Sequence, residues 1–233
     1  MLLAVTVLDK SPLTIRKMFG QIAPRYDRAN RFLSMRIDRH WRRFAARNLL
    51  EKPGQVLDVA SGTGDLALDL RKYGRHEIVS LDFTFEMLAW GQDKLKGRTT
   101  GQVCGDALRL PCGDDSFDGA CVAFGVRNFA NPETGLGEMV RVVRRGGAVG
   151  VLEFSQPRGP FNRVYQFYFR RILPVIGGAI TGSRAPYKYL PASVGEFPEG
   201  EEFLKLLRAA GLEQLSARKL SGGIVTFYRG TKP

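Results

Sequence analysis

The stretch Val56 to Leu68 reads VLDVASGTGDLAL: an apolar run, the small residues Ser61, Gly62 and Gly64, then apolar residues at helical spacing. A chain that turns so tightly between strand and helix brings backbone amides and a helix amino end close to whatever lies above it. Such an end favours an anionic or carboxylate-bearing group. The pattern is not GxxxxGK[ST], so it is not a triphosphate loop. Nor is it a clean GxGxxG, because Gly62 and Gly64 are followed by Ala67 at the third position. Asp82 ends the next apolar run, 18 residues after Gly64. An acid there can accept hydrogen bonds from both ribose hydroxyls, which suits NAD and S-adenosylmethionine equally. Gly105-Asp106-Ala107 closes a third run, where a carboxylate can accept an adenine amine. Asp58 lies inside the first run; burying it is costly without hydrogen bonds, and the amides of the glycine turn are its expected partners.

These residues need strand ends to hold them. VLDVA (56–60), EIVSLDF (77–83), GQVCGDA (101–107), FDGACVAFGV (117–126) and AVGVLEF (148–154) read as strands. DLALDLRKYG (65–74) and FEMLAWGQDKL (85–95) read as helices between them. Asn131-Pro132-Glu133 opens another helix, with a capping Asn, Pro at the first position and an acid in the first turn; it stops at Gly146-Gly147. After a helix over EGEEFLKLLRAAG, LEQLSARKL and IVTFYRG flank a Gly-rich turn as an antiparallel hairpin. The alternation predicts an α/β fold: a doubly wound, mostly parallel, seven-stranded sheet with an antiparallel edge hairpin. Two segments stand outside it, a basic helical cap over residues 1–50 and an insertion over 156–197 on the ligand side of the 51–233 domain.

The chain has 233 residues, 44% apolar and 25% charged, an ordinary globular balance. No apolar run approaches the roughly 20 residues of a bilayer span, and MLLAVTVLDK lacks the basic lead of a signal peptide. Three widely spaced cysteines and two histidines argue against a disulfide framework or a metal site. The expectation is a reduced, cytoplasmic, metal-free protein. Its net charge of +12 is clustered: residues 1–50 hold eleven Lys/Arg against three Asp, and residues 157–190 hold six Lys/Arg and no acid. Such clusters suit nucleic acid, an anionic membrane surface or plain solvated surface.

The order strand, acid, then LPCGDDSFD (110–118) resembles S-adenosylmethionine-dependent methyltransferases. FGVRNFANPETGLGEMVRVVRRGGAVGVLEFSQP (124–157), YDRANRFLSMRIDRHWRR (26–43) and SRAPYKYLPASV (183–194) resemble the quinone C-methyltransferase family of menaquinone and ubiquinone synthesis. The likeness runs from about Phe19 to Arg229. It implies a class I, Rossmann-like methyltransferase that moves a methyl group from S-adenosylmethionine to a ring carbon of a polyprenyl quinol, demethylmenaquinol first and a methoxy-benzoquinol as the alternative. Thr63, Asp82, Asp106 and Ala107 match the family's cofactor positions, beside Gly62 and Gly64. A further cofactor position, often Ser in the family, falls on Ala123, which removes one hydroxyl contact. Phe83 and Phe85 flank Thr84, where one ring can lie against adenine.

Arg127 and Asn128 follow the fourth strand at its ligand-facing end. A guanidinium there can stabilise a quinolate oxygen, while Asn128 orients an oxygen or a water. Arg127 stays protonated, so a water or the quinolate handles the proton. Tyr26 reads equally as a ring closing over the sulfonium or quinol and as an aromatic packed on the core. Tyr187 and Tyr189 read as lining of the substrate pocket or as core of the insertion. A bilayer substrate implies peripheral binding to the inner face of the cytoplasmic membrane. Tyr165, Phe167, Tyr168 and Phe169, interleaved with Arg163, Arg170 and Arg171, are the expected interfacial face, together with Phe161. An RNA methyltransferase or RNA-binding module would also use the basic segments, but no RNA-binding module or NPPY-like signature is present, so no nucleic acid is expected. An NAD-dependent oxidoreductase would share the sheet, but a Tyr-xxx-Lys or His-centred hydride site is missing. Monomer and homodimer both stay open.

Overall fold

The computed structural model describes residues 9–159 and 161–233. Most of the MLLAVTVLDK stretch, the first eight residues of the basic segment and the side chain of Phe161 therefore lie outside the description. The sheet consists of β1 (Gln55–Val59), β2 (Glu77–Asp82), β3 (Gly101–Cys104), β4 (Phe117–Ala123), β5 (Val143–Phe154), β6 (Glu213–Leu220) and β7 (Val225–Thr231) in the order β3-β2-β1-β4-β5-β7-β6. The first five run parallel, and β7 runs antiparallel to both β5 and β6. This is the architecture that the strand–helix alternation predicts. Chain direction away from the centre reverses between β1 and β4, which opens a crevice at their carboxyl ends.

Helices cover both faces because successive strand residues alternate sides. Leu57 and Val59, Ala120 and Val122, and Val149 and Val151 pack with Leu136 and Met139 of α5 (Pro132–Val142) and with Phe203 and Leu207 of α9 (Glu201–Ala209). Val56, Ile78, Cys121, Ala148 and Leu152 pack on the opposite face. Their partners are Trp41, Ala45 and Leu49, which belong to or follow α2 (Asp38–Asn48), and Leu66 of α3 (Asp65–Asp69). The basic amino-terminal segment thus divides. Its second helix joins the sheet, whereas α1 (Pro12–Leu33) contributes Ala29 and Leu33 to a separate core. That core includes Tyr165 of α6 (Phe161–Phe167), Phe169, Leu173 of α7 (Leu173–Thr181), and Tyr187 and Val194 of α8 (Ala185–Glu196).

Several boundaries differ from the sequence reading. The helix expected over 65–74 widens into a π turn over Leu70–Gly74. β4 stops at Ala123 and not at Val126, and Arg127, which follows the strand as expected, sits in a 3-10 turn over Val126–Asn128. β3 stops at Cys104, and Asp106 pairs with Arg109 as an isolated bridge. The helix opened by Asn131 is capped as expected, with the Thr134 amide 2.9 Å from the Asn131 side chain, but ends at Val142 because β5 starts at once. Tyr165 and Phe169 are buried in the third core, so they are not part of an interfacial face. Among the described side chains expected there, Phe167 is the exposed aromatic.

Candidate active site

The glycine turn follows directly from β1. Ala60, Gly62 and Gly64 all take left-handed backbone angles, with φ of 52°, 56° and 83°. A β-carbon on Gly64 would lie 2.4 Å from Leu95, and one on Gly91 would lie 2.6 Å from the Thr63 carbonyl. Both residues come from α4 (Phe85–Leu95), which presses on the turn and fixes its shape. Asp82 closes the crevice from the β2 side. Its Oδ2 accepts the Gly62 amide and its Oδ1 the Thr84 amide, each at 2.7 Å. Burial pushes its carboxyl above the usual range, and these amides oppose the shift. Asp106 Oδ1 accepts the Leu108 amide at 2.9 Å.

A cleft of about 830 Å³ lies above these residues. Gly62, Asp82, Phe83, Asp106, Ala107, Ala123, Asn128 and Tyr26 line it; Thr63 and Gly64 stand behind the wall. The Thr63 hydroxyl donates to Asp27 at 2.5 Å and accepts from Lys94 at 3.0 Å. Lys94 also reaches Asp27 at 2.7 Å and Asp65 at 2.8 Å. This network staples α1 to the glycine turn. Phe85 is exposed on the outer side of α4, so Phe83 is the flanking ring that faces the cleft. Asp58 does not take the amides of residues 61–64: it is buried in β1, and the amide that acts on its carboxylate is that of Ala67, in α3. Burial, helped by the charge on Asp82, pushes its carboxyl well above the ordinary range.

The donor set of this cleft fits S-adenosylmethionine. Two carboxylates, Asp82 and Asp106, offer acceptors to ribose hydroxyls and an adenine amine, and among the described residues Lys10 is the one basic residue in its lining. A polyphosphate would find little to neutralise it, whereas a cationic sulfonium gains from acidic walls. The Asn128 Oδ1 is buried and unpartnered in the same cleft, an acceptor left for a ligand.

A second cavity, of about 1520 Å³, adjoins the first. Phe19, Tyr26 and Phe124 line both. Trp41, Phe154, Phe169 and Leu173 make its wall largely apolar, and Arg127, Tyr187 and Tyr189 face into it. Arg127 and Asn128, adjacent in the chain, thus serve different cavities. Arg127 is held from behind by an acid that sequence reasoning passed over. Its Nη1 lies 2.8 Å from Oε1 of Glu153, whose side chain is 1% exposed. The same Nη1 donates to the Phe124 carbonyl, turned toward it by a left-handed φ of 61° at Phe124. Glu153 also accepts the Phe154 amide at 2.9 Å. Among the described residues, every hydrogen bond of the Arg127 side chain runs through Nη1, and Nε is buried without a partner. The Nε edge therefore remains free for a ligand. The signal for Glu153 was present: an acid inside the apolar run AVGVLEF needs a buried cation.

The hydroxyls of Tyr187 and Tyr189 are buried and unpartnered, and burial pushes each phenol up to about 12. Tyr26 is half-buried between the cavities, with its phenol also raised by burial. Both tyrosines of α8 therefore stay protonated at neutral pH and can donate.

Residues 6–232 match the model of the ubiE/COQ5 methyltransferase family. A ubiquinone/menaquinone biosynthesis C-methyltransferase UbiE of Citrifermentans bemidjiense is 47% identical over 227 residues, covering 94% of this chain and 96% of its own. A demethylmenaquinone methyltransferase of Thermus thermophilus is 44% identical over 221 residues, covering 93% of this chain and 100% of its own. Among solved structures, a SAM-dependent methyltransferase of Thermotoga maritima, titled a possible histamine N-methyltransferase, superposes with a TM-score of 0.68 at 22% identity, covering 93% of this chain and 99% of its own. That likeness carries the fold alone.

Glu153→Gln tests the ion pair. It leaves a buried guanidinium without its counter-charge, and chemical denaturation is expected to show a loss of about 3–5 kcal/mol. A loss below about 1 kcal/mol, the value of an exposed pair, would mean that Arg127 is solvated in solution.

Proposed function

This chain belongs to the ubiE/COQ5 methyltransferase family, and from that premise we propose that it methylates a ring carbon of a polyprenyl quinol, with S-adenosylmethionine as donor and demethylmenaquinol as the first substrate. The observation that carries the reading is the junction of an acid-lined polar cleft with a large apolar cavity across Phe19, Tyr26 and Phe124. One cavity suits a nucleoside and the other a greasy aromatic diol, and the methyl group has to pass between them. Relatives named for ubiquinone as well as menaquinone keep a benzoquinol beside the naphthoquinol as substrate.

S-adenosylmethionine, when bound, supplies a methyl group on a sulfonium leaving group. Asp82 would accept the ribose hydroxyls and Asp106, with the Ala107 backbone, the adenine. Gly62 would let the nucleoside approach, while Thr63 and Gly64 act through the shape of the turn. Ala123 would contribute van der Waals contact only. In the second cavity, the free edge of Arg127 would face a ring oxygen and favour its phenolate form, which makes the neighbouring carbon nucleophilic. Asn128 would orient an oxygen or a water from the cofactor side, and Tyr26 would cover the junction and exclude water. Tyr187 and Tyr189 would line the ring end. Arg127 cannot act as base at neutral pH, so the ring proton leaves to water.

A polyprenyl tail places the substrate in a bilayer, yet no described helix is long and apolar enough to cross one. The reading is peripheral attachment at the inner face of the cytoplasmic membrane. Met35 and Val164 support it: both line the apolar cavity, and they are 75% and 67% exposed, so the cavity opens at an apolar rim. Arg36, Arg163, Arg170 and Arg171 belong to the same segments.

Quinones extracted from cells lacking the protein are expected to contain one accumulated demethyl species, lost again when the gene is restored. Label from the donor is expected in the lipid extract and not in RNA; label in RNA alone would overturn the reading. With purified enzyme, Arg127→Lys loses the planar fork, and kcat is expected to fall about 10²-fold. Unchanged turnover would remove Arg127 from the chemistry. The protein is further expected to bind anionic vesicles at low salt, each nearby Lys or Arg contributing about 1 kcal/mol, and to be released as salt rises. Absence of binding at low salt would contradict the attachment.

A further inference from the structure

Three tyrosine hydroxyls in the apolar cavity are buried and unpartnered, and the third, Tyr165, belongs to α6, whose aromatic residues read from sequence as a membrane face. A hydrocarbon tail needs no hydrogen bonds, so polar groups in this cavity serve whatever part of the ligand carries oxygen. Tyr165 is held on its ring face by an aromatic neighbour. The residue is 8% exposed, and its ring stacks on Phe169 with centroids 5.0 Å apart and planes 22° apart. That stack restricts the ring plane, and the residue lines the apolar cavity. The Arg127 guanidinium lies over the Phe154 ring, 5.4 Å from its centroid, and Phe154 packs on Phe169 with centroids 6.1 Å apart, so the Tyr165–Phe169 stack stands at the Arg127 end of the cavity. Burial nevertheless pushes the Tyr165 phenol upward, which leaves it a proton donor at neutral pH.

We propose that Tyr165 is a substrate-binding residue whose hydroxyl hydrogen-bonds a ring oxygen of the quinol at the Arg127 end of the apolar cavity. The inference rests on the quinol methyltransferase reading above and adds a specificity determinant from a segment with no assigned role in the site. Pairing the hydroxyl with a ligand oxygen removes the penalty of a buried, unmet donor. The same arrangement discriminates against a ring that lacks that oxygen, because a site built around a hydrogen bond rejects ligands that cannot make it. Tyr165 carries no proton and no charge in the reaction; it fixes where the ring lies.

The test compares wild type with Tyr165→Phe, using a short-chain demethylnaphthoquinol and the two naphthols that each lack one of its ring oxygens, under reducing conditions. Since the hydroxyl bonds nothing in the protein, the variant is expected to melt at or above the wild-type temperature. Its KM for the quinol is expected to rise about tenfold with little change in kcat. It is also expected to lose the wild-type preference for binding the quinol over one of the two naphthols. An unchanged KM together with unchanged discrimination would overturn the proposal and show that water satisfies the hydroxyl. A lowered melting temperature with unchanged discrimination would also overturn it, since the hydroxyl would then serve the fold. Failure of the wild type itself to methylate the quinol would instead sink the functional reading on which the proposal rests.

Discussion

A guanidinium can face an apolar cavity here only because a carboxylate stands behind it. Two charges taken out of water are expensive to bury, and they persist where geometry and further hydrogen bonds meet their remaining valences. Glu153 meets that condition at the end of β5: its Oε1 accepts both Arg127 Nη1 and the Phe154 amide, and its Oε2 accepts the Arg127 amide. The left-handed backbone at Phe124 adds a carbonyl to the same Nη1. A non-glycine residue held at positive φ is a strained element, of the kind that collects at functional sites. Its consequence is specific. One edge of Arg127 is committed to the protein, and the other is left over, in a place where water does not compete.

The same logic of fixing one group through another extends to α1. Phe19 and Tyr26 are seven residues apart, so they share a helix face, and both border the junction of the two cavities. Asp27 follows Tyr26 and is tied to Thr63 and Lys94. The polar staple therefore sets the position of the aromatic seam, and through Thr63 it joins the seam to the glycine turn. Sheet, turn and amino-terminal helix are held in one register by a few buried or half-buried charges, while the apolar cores supply the cohesion. The fold's reversal between β1 and β4 decides where the crevice opens; the charges decide what can bind on each side of it.

Much of this was readable from the residues. Alternating apolar runs and helical spacing predicted the seven strands and their antiparallel hairpin, because each strand's burial pattern is local information. The capped helix start at Asn131 was local as well. The roles of Glu153 and Tyr165 were not, because each depends on a partner far along the chain: Glu153 on Arg127, and Tyr165 on the core that α1, α7 and α8 assemble. Asp58 failed for a related reason. Its place inside a strand was evident, but whether nearby amides point at it depends on the turn's backbone angles, which sequence does not display. Tyr165 and Phe169, in the aromatic segment after β5, misled because amphipathic residues at a membrane surface and residues of a small helical core share a composition.

The central claim is that the free edge of Arg127 meets a ring oxygen of the quinol. It is tested most directly by nitrogen-15 NMR of the arginine side chains, with S-adenosylhomocysteine bound and a short-chain demethylnaphthoquinol added under reducing conditions. The account predicts that the Arg127 Nε–H resonance shifts and becomes protected from exchange as the quinol saturates, while the Nη1 protons held by Glu153 change little. An Nε–H signal unmoved at saturating quinol, in a sample that still turns over when the true donor replaces the product, would contradict it.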